Sequence, residues 1–116
     1  MSRLTSGVAA DAAHVPVPFE ALPPEQVVAG SPSTRYVDLD EADGRTVGVW
    51  EHTPGVSRDV EADELFVVLA GSGRIEFEEP PLPPIELRPG SIVRLTAGMQ
   101  TVWTVRETLR KVYVTP

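Results

Sequence analysis

Glu64 is the residue best placed to do chemistry, because it stands at the head of a nearly all-apolar segment. Residues 65–70 follow it, and Gly71 ends the run. A segment of this composition is typical of a strand buried on both faces. A buried carboxylate either pairs with a cation, for which Arg58 and Lys111 are candidates, or has a raised pKa. Glu64 is therefore a candidate general acid or base or a ligand anchor, and the competing hypothesis is a structural ion pair.

Four further candidates lie near the end of the chain, spaced two residues apart within each pair. Side chains alternate along a strand, so Thr101 shares a face with Trp103, and Lys111 shares one with Tyr113. The indole offers an apolar wall and one N–H donor, and ordinary core packing is its competing interpretation. If the second face points inward, Lys111 and Tyr113 carry polar groups into a pocket. If it points outward, their aliphatic neighbours form the core, and alternation does not decide between the two.

Metal and thiol chemistry are poorly provided for. The chain has no cysteine and only two histidines, His14 and His52. Asp59 and Glu64 add carboxylates, but two carboxylates with at most one imidazole make a poor transition-metal site. The sequence therefore predicts no metal and no other cofactor. His52 is predicted to be a half-exposed residue at the end of a strand.

The elements that must position these residues are predicted to be short strands. Twelve prolines and nine glycines divide the 116 residues into brief segments, and the segments read as about eight strands of an all-β sandwich or barrel. Residues 1–33 are predicted to be a partly flexible arm, with one helical turn within 22–28. Residues 34–116 are predicted to be a single domain, in which the proline-rich stretch 80–84 is a loop.

Charge and hydropathy exclude several classes of function. The net charge is −7, with no basic stripe that would attract a phosphate backbone, so no nucleic-acid partner is predicted. The longest aliphatic run, residues 65–70, is far too short to span a bilayer. The first residues lack the apolar core of a signal peptide. A cytoplasmic protein without a membrane partner is therefore expected.

Two phrases of the sequence resemble the two signature motifs of the cupin superfamily. The first phrase contains Gly55, Glu64 and Gly71, and the second contains Gly90, Thr96, Gly98 and Thr101. The histidines that usually bind a metal are replaced, the first two within residues 57–60 and the last by Thr101. A more specific resemblance, to small single-domain cupins of the ureidoglycine aminohydrolase and ethanolamine-utilisation type, lies in the phrases Trp50-Glu51-His52-Thr53-Pro54-Gly55 and Trp103-Thr104-Val105-Arg106-Glu107-Thr108-Leu109-Arg110-Lys111-Val112-Tyr113-Val114. Ser91, where the group usually has aspartate, and the insertion at 80–84 depart from the pattern.

The resemblance implies a cupin jelly-roll barrel of two antiparallel sheets with Glu64 and Thr101 facing inward. Its pocket would be metal-degenerate and would bind a small polar metabolite. The residues assigned to that ligand site are Arg58, Glu64, Thr101, Trp103, Lys111 and Tyr113. One alternative is a metal-independent enzyme performing acid/base chemistry, such as isomerisation or amide hydrolysis, with Glu64 as the base. Another is a dimer module with a vestigial pocket.

An assembly is also expected from the strand that Glu64 opens. If Glu64 points inward, Phe66 and Val68 share its face, and Leu65, Val67 and Leu69 should lie on the outer face. A row of three large aliphatic side chains needs a cover. A homodimer packed through this face is predicted, since twofold dimers are the commonest oligomers. In a monomer, residues 15–30 would be expected to lie over the row instead.

Overall fold

The computed structural model describes residues 4–116, with backbone only for Phe19 and Glu20. Regular structure in this part of the chain is almost entirely β, as predicted. A single 3-10 turn, Pro24–Gln26, falls within the segment where one helical turn is predicted. The strands are β1 (Phe19–Ala21), β2 (Val27–Ala29), β3 (Ser33–Ala42), β4 (Arg45–His52), β5 (Gly55–Val60), β6 (Glu64–Glu79), β7 (Leu82–Leu87), β8 (Ile92–Leu95) and β9 (Gln100–Thr115).

All strand pairs are antiparallel, and two long strands organise them. Strands run in the order β1-β3-β4-β9-β5-β2, while β6 pairs with β7, β8 and β9. β9 reaches β5 with its first half and β4 with its second. β1 pairs with β3 and β2 pairs with β5, so the segment predicted as an arm contributes two short strands to the sheet.

β6 and β9 are each continuous over 16 residues, although the apolar run of β6 ends at Gly71. The pairing of β6 with β9 is irregular between Val68 and Gly73. Gly71 adopts φ +90°, and a Cβ on it would overlap the backbone carbonyl of Thr108. Because only glycine fits this position, β6 bends here without ending.

The prediction that residues 80–84 form only a loop is wrong. β7 begins at Leu82 and includes Pro83 and Pro84. It pairs with β6 alone and is therefore an edge strand. Proline is tolerated at an edge because its missing N–H deprives no second neighbour of a hydrogen bond.

The inner face of the curled sheet forms the core. Phe66 and Val68 of β6 and Trp103 and Val105 of β9 are all buried, as alternation along the strands predicts. They pack in one cluster with Tyr113 and with residues of β7 and β8. The apolar end of the cavity described below is therefore continuous with the hydrophobic core.

The outer face is partly covered by the N-terminal segment. Arg110 donates hydrogen bonds to the carbonyls of Ala12 (2.9 Å) and Val15 (2.6 Å). Its guanidinium also pairs with the buried Glu51 at 2.7 Å. Leu65 and its alternating neighbours on β6 are half-buried. No helix between residues 4 and 116 is long and apolar enough to cross a membrane.

Candidate functional site

A cavity of about 320 Å³ opens between the inner faces of the strands. β3, β4, β5, β6 and β9 all contribute to it, and the N-terminal segment adds two residues at its edge. Both tryptophans of the chain lie in its wall. Its lining consists of Leu22, Gln26, Thr34, Tyr36, Asp38, Trp50, His52, Ser57, Arg58, Asp59, Glu61, Glu64, Trp103, Lys111, Tyr113 and Thr115.

Lys111 places a buried ammonium group in the cavity wall, between a carboxylate and aromatic rings. Its Nζ is 2.6 Å from Glu64 Oε2, and the Lys111 side chain is 5% exposed. The same nitrogen lies 4.3 Å from the ring centres of Trp50 and Phe66, and 4.8 Å from that of Trp103. The contact with Glu64 is an ion pair without hydrogen-bond geometry, since that oxygen accepts no hydrogen bond. The carboxylate and the aromatic faces together stabilise a charge that has left water.

Glu61 is a buried carboxylate that the sequence analysis missed. Its Oε2 accepts hydrogen bonds from Thr101 Oγ1 (2.6 Å) and Trp103 Nε1 (3.0 Å). Burial raises the pKa of Glu61 above its ordinary value, although the two donors act in the opposite direction. Ser57, Asp59 and Glu61 are spaced two residues apart, and all three line the cavity. This alternation, extended one position beyond the end of β5, would have predicted that Glu61 points inward.

Asp59 lies near Glu61 on the cavity wall. Its carboxylate accepts a hydrogen bond from the Val60 amide (2.9 Å). Asp59 is exposed at the surface, but the protein around its carboxylate displaces enough water to raise its pKa. The like charge of Glu64 raises the pKa of Asp59 further, whereas the Val60 amide and the charge of Lys111 act in the opposite direction.

Tyr113 closes another part of the wall and is held by Asp38. The phenol donates to Asp38 Oδ1 at 2.5 Å. Burial, together with this carboxylate, raises the pKa of Tyr113 well above its ordinary value, so the phenol stays protonated. Gly48 lies beneath the ring, and a Cβ there would overlap the Tyr113 hydroxyl.

His52 is fully buried, so the prediction of a half-exposed residue is wrong. It ends β4, but its side chain points inward, beside Trp50. Its Nδ1 lies 2.6 Å from the Thr53 carbonyl oxygen and its Nε2 lies 2.8 Å from Ser57 Oγ. Burial lowers the pKa of His52, and the positive charge of Lys111 lowers it further. The imidazole is therefore neutral at pH 7.

The six ligand-site residues predicted from the sequence are placed as follows. Four of them, Glu64, Trp103, Lys111 and Tyr113, line the cavity together. The β9 face that carries Lys111 and Tyr113, whose direction the sequence did not determine, therefore points inward. Thr101 is fully buried behind the wall, where it binds Glu61. Arg58 is exposed at the rim, and the ion pair of Glu64 is with Lys111 and not with Arg58.

The positions that hold metal ligands in cupins do not fit a metal here. The resemblance places the first two within residues 57–60 and the others at Glu64 and Thr101. Glu64 is paired with the Lys111 ammonium, which would repel a cation. Within residues 4–116 no group of three histidine, aspartate or glutamate side chains is arranged to hold a metal ion. No step of the chemistry below is therefore assigned to a metal.

A family model described as the EutQ-like cupin domain matches residues 39–113. The chain belongs to the EutQ-like cupin domain family. This confirms the cupin fold and the resemblance to small cupins of the ethanolamine-utilisation type. No curated protein matches the chain.

Several solved structures share this cupin fold. The EutQ protein of Clostridium difficile is 18% identical with a TM-score of 0.62, and the match covers 83% of this chain and 79% of that one. A putative ethanolamine utilization protein Q from Salmonella typhimurium is 16% identical with a TM-score of 0.59, covering 71% of this chain and 68% of that one. A Pseudomonas syringae protein of unknown function is 23% identical with a TM-score of 0.71, covering 86% of this chain and 44% of that one. At these identities the similarity shows the fold alone.

Proposed function

We propose that this cupin binds a small polar metabolite rich in hydrogen-bond donors. The observation that carries the proposal is the surplus of carboxylates in an aromatic-walled cavity. Four carboxylates face two cations there, Arg58 and Lys111; the carboxylates belong to Asp38, Asp59, Glu61 and Glu64. Such a cavity disfavours anions and favours hydroxyl or amine groups, because an ionised carboxylate only accepts hydrogen bonds.

Three donors of the cavity wall are already committed to carboxylates of the protein. Lys111 is paired with Glu64, Tyr113 donates to Asp38, and the Trp103 indole donates to Glu61. Each of these carboxylates keeps a second oxygen with unused acceptor capacity. These free carboxylate oxygens can accept hydrogen bonds from a ligand that supplies N–H or O–H donors.

Size supports a small ligand. A cavity of about 320 Å³ lies at the lower end of the roughly 300–1,000 Å³ typical of ligand sites. Tyr36 at its wall is half exposed, and together with Trp50 it offers ring faces to the carbon skeleton of a ligand. The ligand we infer is a polyol or an amine with a short carbon skeleton.

Acid/base catalysis is the second candidate, and the raised pKa values of Asp59 and Glu61 favour it. Two carboxyls with shifted pKa values in one cavity are typical of proton-transfer sites. Glu64, the base expected from the sequence, is less suited, because its carboxylate is already engaged by the Lys111 ammonium. Proton transfer in this alternative would be assigned to Asp59 and Glu61.

Tryptophan fluorescence tests the binding proposal directly. The chain has two tryptophans, Trp50 and Trp103, and both line the cavity, so emission reports on this site. A panel of size-matched polyols, primary amines and carboxylates should be titrated, with polyols or amines shifting the emission and carboxylates leaving it unchanged.

Asp59→Asn should weaken binding about tenfold or more, since a hydrogen bond to a charged group contributes about 1.5–3 kcal/mol. Asp43→Asn, in an exposed turn outside this cavity, is the control. Tighter binding of carboxylates than of amines or polyols would contradict the proposal.

A further inference from the structure

We propose that Ser57 is a nucleophile activated by His52, and that the cavity hydrolyses a small ester or amide. This inference rests on the proposed function in one respect only: substrate would occupy the cavity assigned above to the ligand.

The hydrogen bonds of His52 fix its proton on Nδ1. The Thr53 carbonyl oxygen, 2.6 Å from Nδ1, can only accept a hydrogen bond, so Nδ1 must carry the hydrogen. The lowered pKa of His52 keeps the ring neutral, and Nε2 then has a free lone pair. Ser57 Oγ, 2.8 Å from Nε2, must therefore be the donor. The Ser57 hydroxyl proton already points at a base that is held by a third group, which is the arrangement of an activated nucleophile.

The pair is enclosed by protein and open toward the cavity. Ser57 and His52 are both at least nine-tenths buried, yet both belong to the cavity wall. Ser57 lies opposite Trp103 in the pairing of β5 with β9, so its side chain shares the inner face with that indole. A serine and histidine bonded only to hold two strands together would not need to adjoin a cavity.

Charged groups surround the pair from several strands. Lys111 from β9 lies close enough to lower the pKa of His52. Asp38 from β3, Asp59 and Arg58 from β5, Glu61 after it and Glu64 from β6 line the same cavity.

The reaction balances with water as the co-reactant. Ser57 Oγ forms a bond to the carbonyl carbon of the ester as its proton passes to His52 Nε2, and the carbonyl electron pair moves onto oxygen. When that pair returns, the bond to the alcohol oxygen breaks and the leaving oxygen takes the proton from Nε2. Water then attacks the acyl-serine in the same manner, which releases the acid and restores the Ser57 hydroxyl.

The experiment uses the full chain with p-nitrophenyl acetate, following nitrophenolate release and the intact mass. One acetyl group per chain should appear, and peptide mapping should place it on Ser57. Ser57→Ala should abolish it, and His52→Asn should slow it about a hundredfold or more, since general-base catalysis contributes about 10²–10⁴-fold. Asparagine can still donate to the Thr53 carbonyl. Ser91→Ala, outside this cavity and just after a turn, where the hydroxyl accepts a hydrogen bond from the Arg88 amide, is the control.

Two further readouts separate catalysis from a structural role. The acetylation rate should fall at low pH with a midpoint below 6.5, the ordinary histidine value, because protonated His52 cannot accept a proton. Ser57→Cys introduces the sole thiol of a cysteine-free chain. Its alkylation by iodoacetamide should slow about tenfold or more when His52→Asn is added, by loss of the base. This readout remains informative if Ser57→Ala or His52→Asn alone fails to fold.

The proposal would be overturned by folded protein that is not acetylated on Ser57, by acetylation of Lys111 instead, or by equal rates with and without His52. Failure here is distinguishable from failure of the proposed function. If polyols or amines still shift the tryptophan emission while Ser57 stays unmodified, binding stands and hydrolysis falls. If neither response is seen, both proposals are wrong.

Discussion

Lys111 Nζ and Glu64 Oε2 lie 2.6 Å apart in a space walled by aromatic rings. The two residues belong to β9 and β6, the long strands that hold the sheet together. In this cupin a fixed ammonium therefore stands beside the carboxylate that would otherwise be available to a metal ion. The charge of the pair is balanced within the protein, and the remaining cavity carboxylates are left to determine what binds.

Breaking this pair should destabilise the fold strongly. Lys111→Met should lower the free energy of unfolding by about 3–5 kcal/mol, because Glu64 is left as an unpaired charge in a poorly solvated site. The double variant Lys111→Met/Glu64→Gln should lose much less than the sum of the two single changes. Denaturant unfolding measures both. Arg74→Met, which removes an exposed ion pair with Glu86, is the control and should change little. Additive single losses would contradict a coupled pair.

Glu61 should give stability a distinctive pH dependence. Its pKa is raised in the folded protein, so the unfolded chain releases this proton first as pH rises. The contribution of Glu61 is therefore fully present below the ordinary value of 4.5, falls as pH rises through it, and levels off above the folded pKa. The stability of wild type relative to Glu61→Gln should decline over that window. A difference that grows with pH would refute the shift. His52 is present in both proteins, and its own titration cancels.

Gly48 should be intolerant of any side chain. A Cβ there would overlap the hydroxyl and ring of Tyr113 and the Val37 carbonyl oxygen. Gly48→Ala should displace Tyr113 from Asp38 and cost about 1–3 kcal/mol, the usual range for overpacking. Thermal unfolding measures the loss, with Thr46→Ala on the same strand as the control. Equal stability of the two variants would show that Tyr113 can move freely.

Arg110 should control how firmly the N-terminal segment is held. Its guanidinium reaches two carbonyls of the segment and Glu51 at once, which a lysine ammonium cannot do with the same geometry. Arg110→Lys should therefore speed proteolytic cleavage near residues 12–15 severalfold. Arg106→Lys, on an exposed part of the same strand, serves as the control. Unchanged cleavage would mean that other contacts hold the segment.

The chain is expected to form a homodimer through the outer face of β6. Val49, Val112, Val67 and Ile92 are aligned across four adjacent strands on that face. Val49 is fully buried within the subunit, but Ile92 is 70% exposed. A second copy would cover it.

Light scattering tests the assembly. Wild type should have twice the mass of one chain at micromolar concentration. Val67→Arg combined with Ile92→Lys should give a monomer, because charged groups would be buried against the partner. Val60→Lys changes an equally exposed valine on another strand and should leave the mass unchanged. A monomeric wild type would overturn the expectation.

The sequence by itself determined the fold class and the pairing of residues within one strand. The alternation of β6 placed Phe66 and Val68 on one face, and the same rule joined Lys111 to Tyr113. The glycines and the C-terminal phrase pointed to a cupin, which the family match confirms. These features are local, since a period of two and a glycine turn are written into consecutive residues.

Only the tertiary structure decided which residues from different strands meet. Thr101 and Glu61, 40 residues apart, are joined by a hydrogen bond, and Lys111, not Arg58, reaches Glu64. Cross-strand register sets these contacts, and irregular pairing within β6 shifts it by amounts that no local pattern records. The proton position on His52 likewise depends on the Thr53 carbonyl and the Ser57 hydroxyl, which the connection between β4 and β5 brings to the ring. The chemistry of this site therefore depends on the cross-strand register, whereas the fold class could be predicted from the local pattern of the sequence.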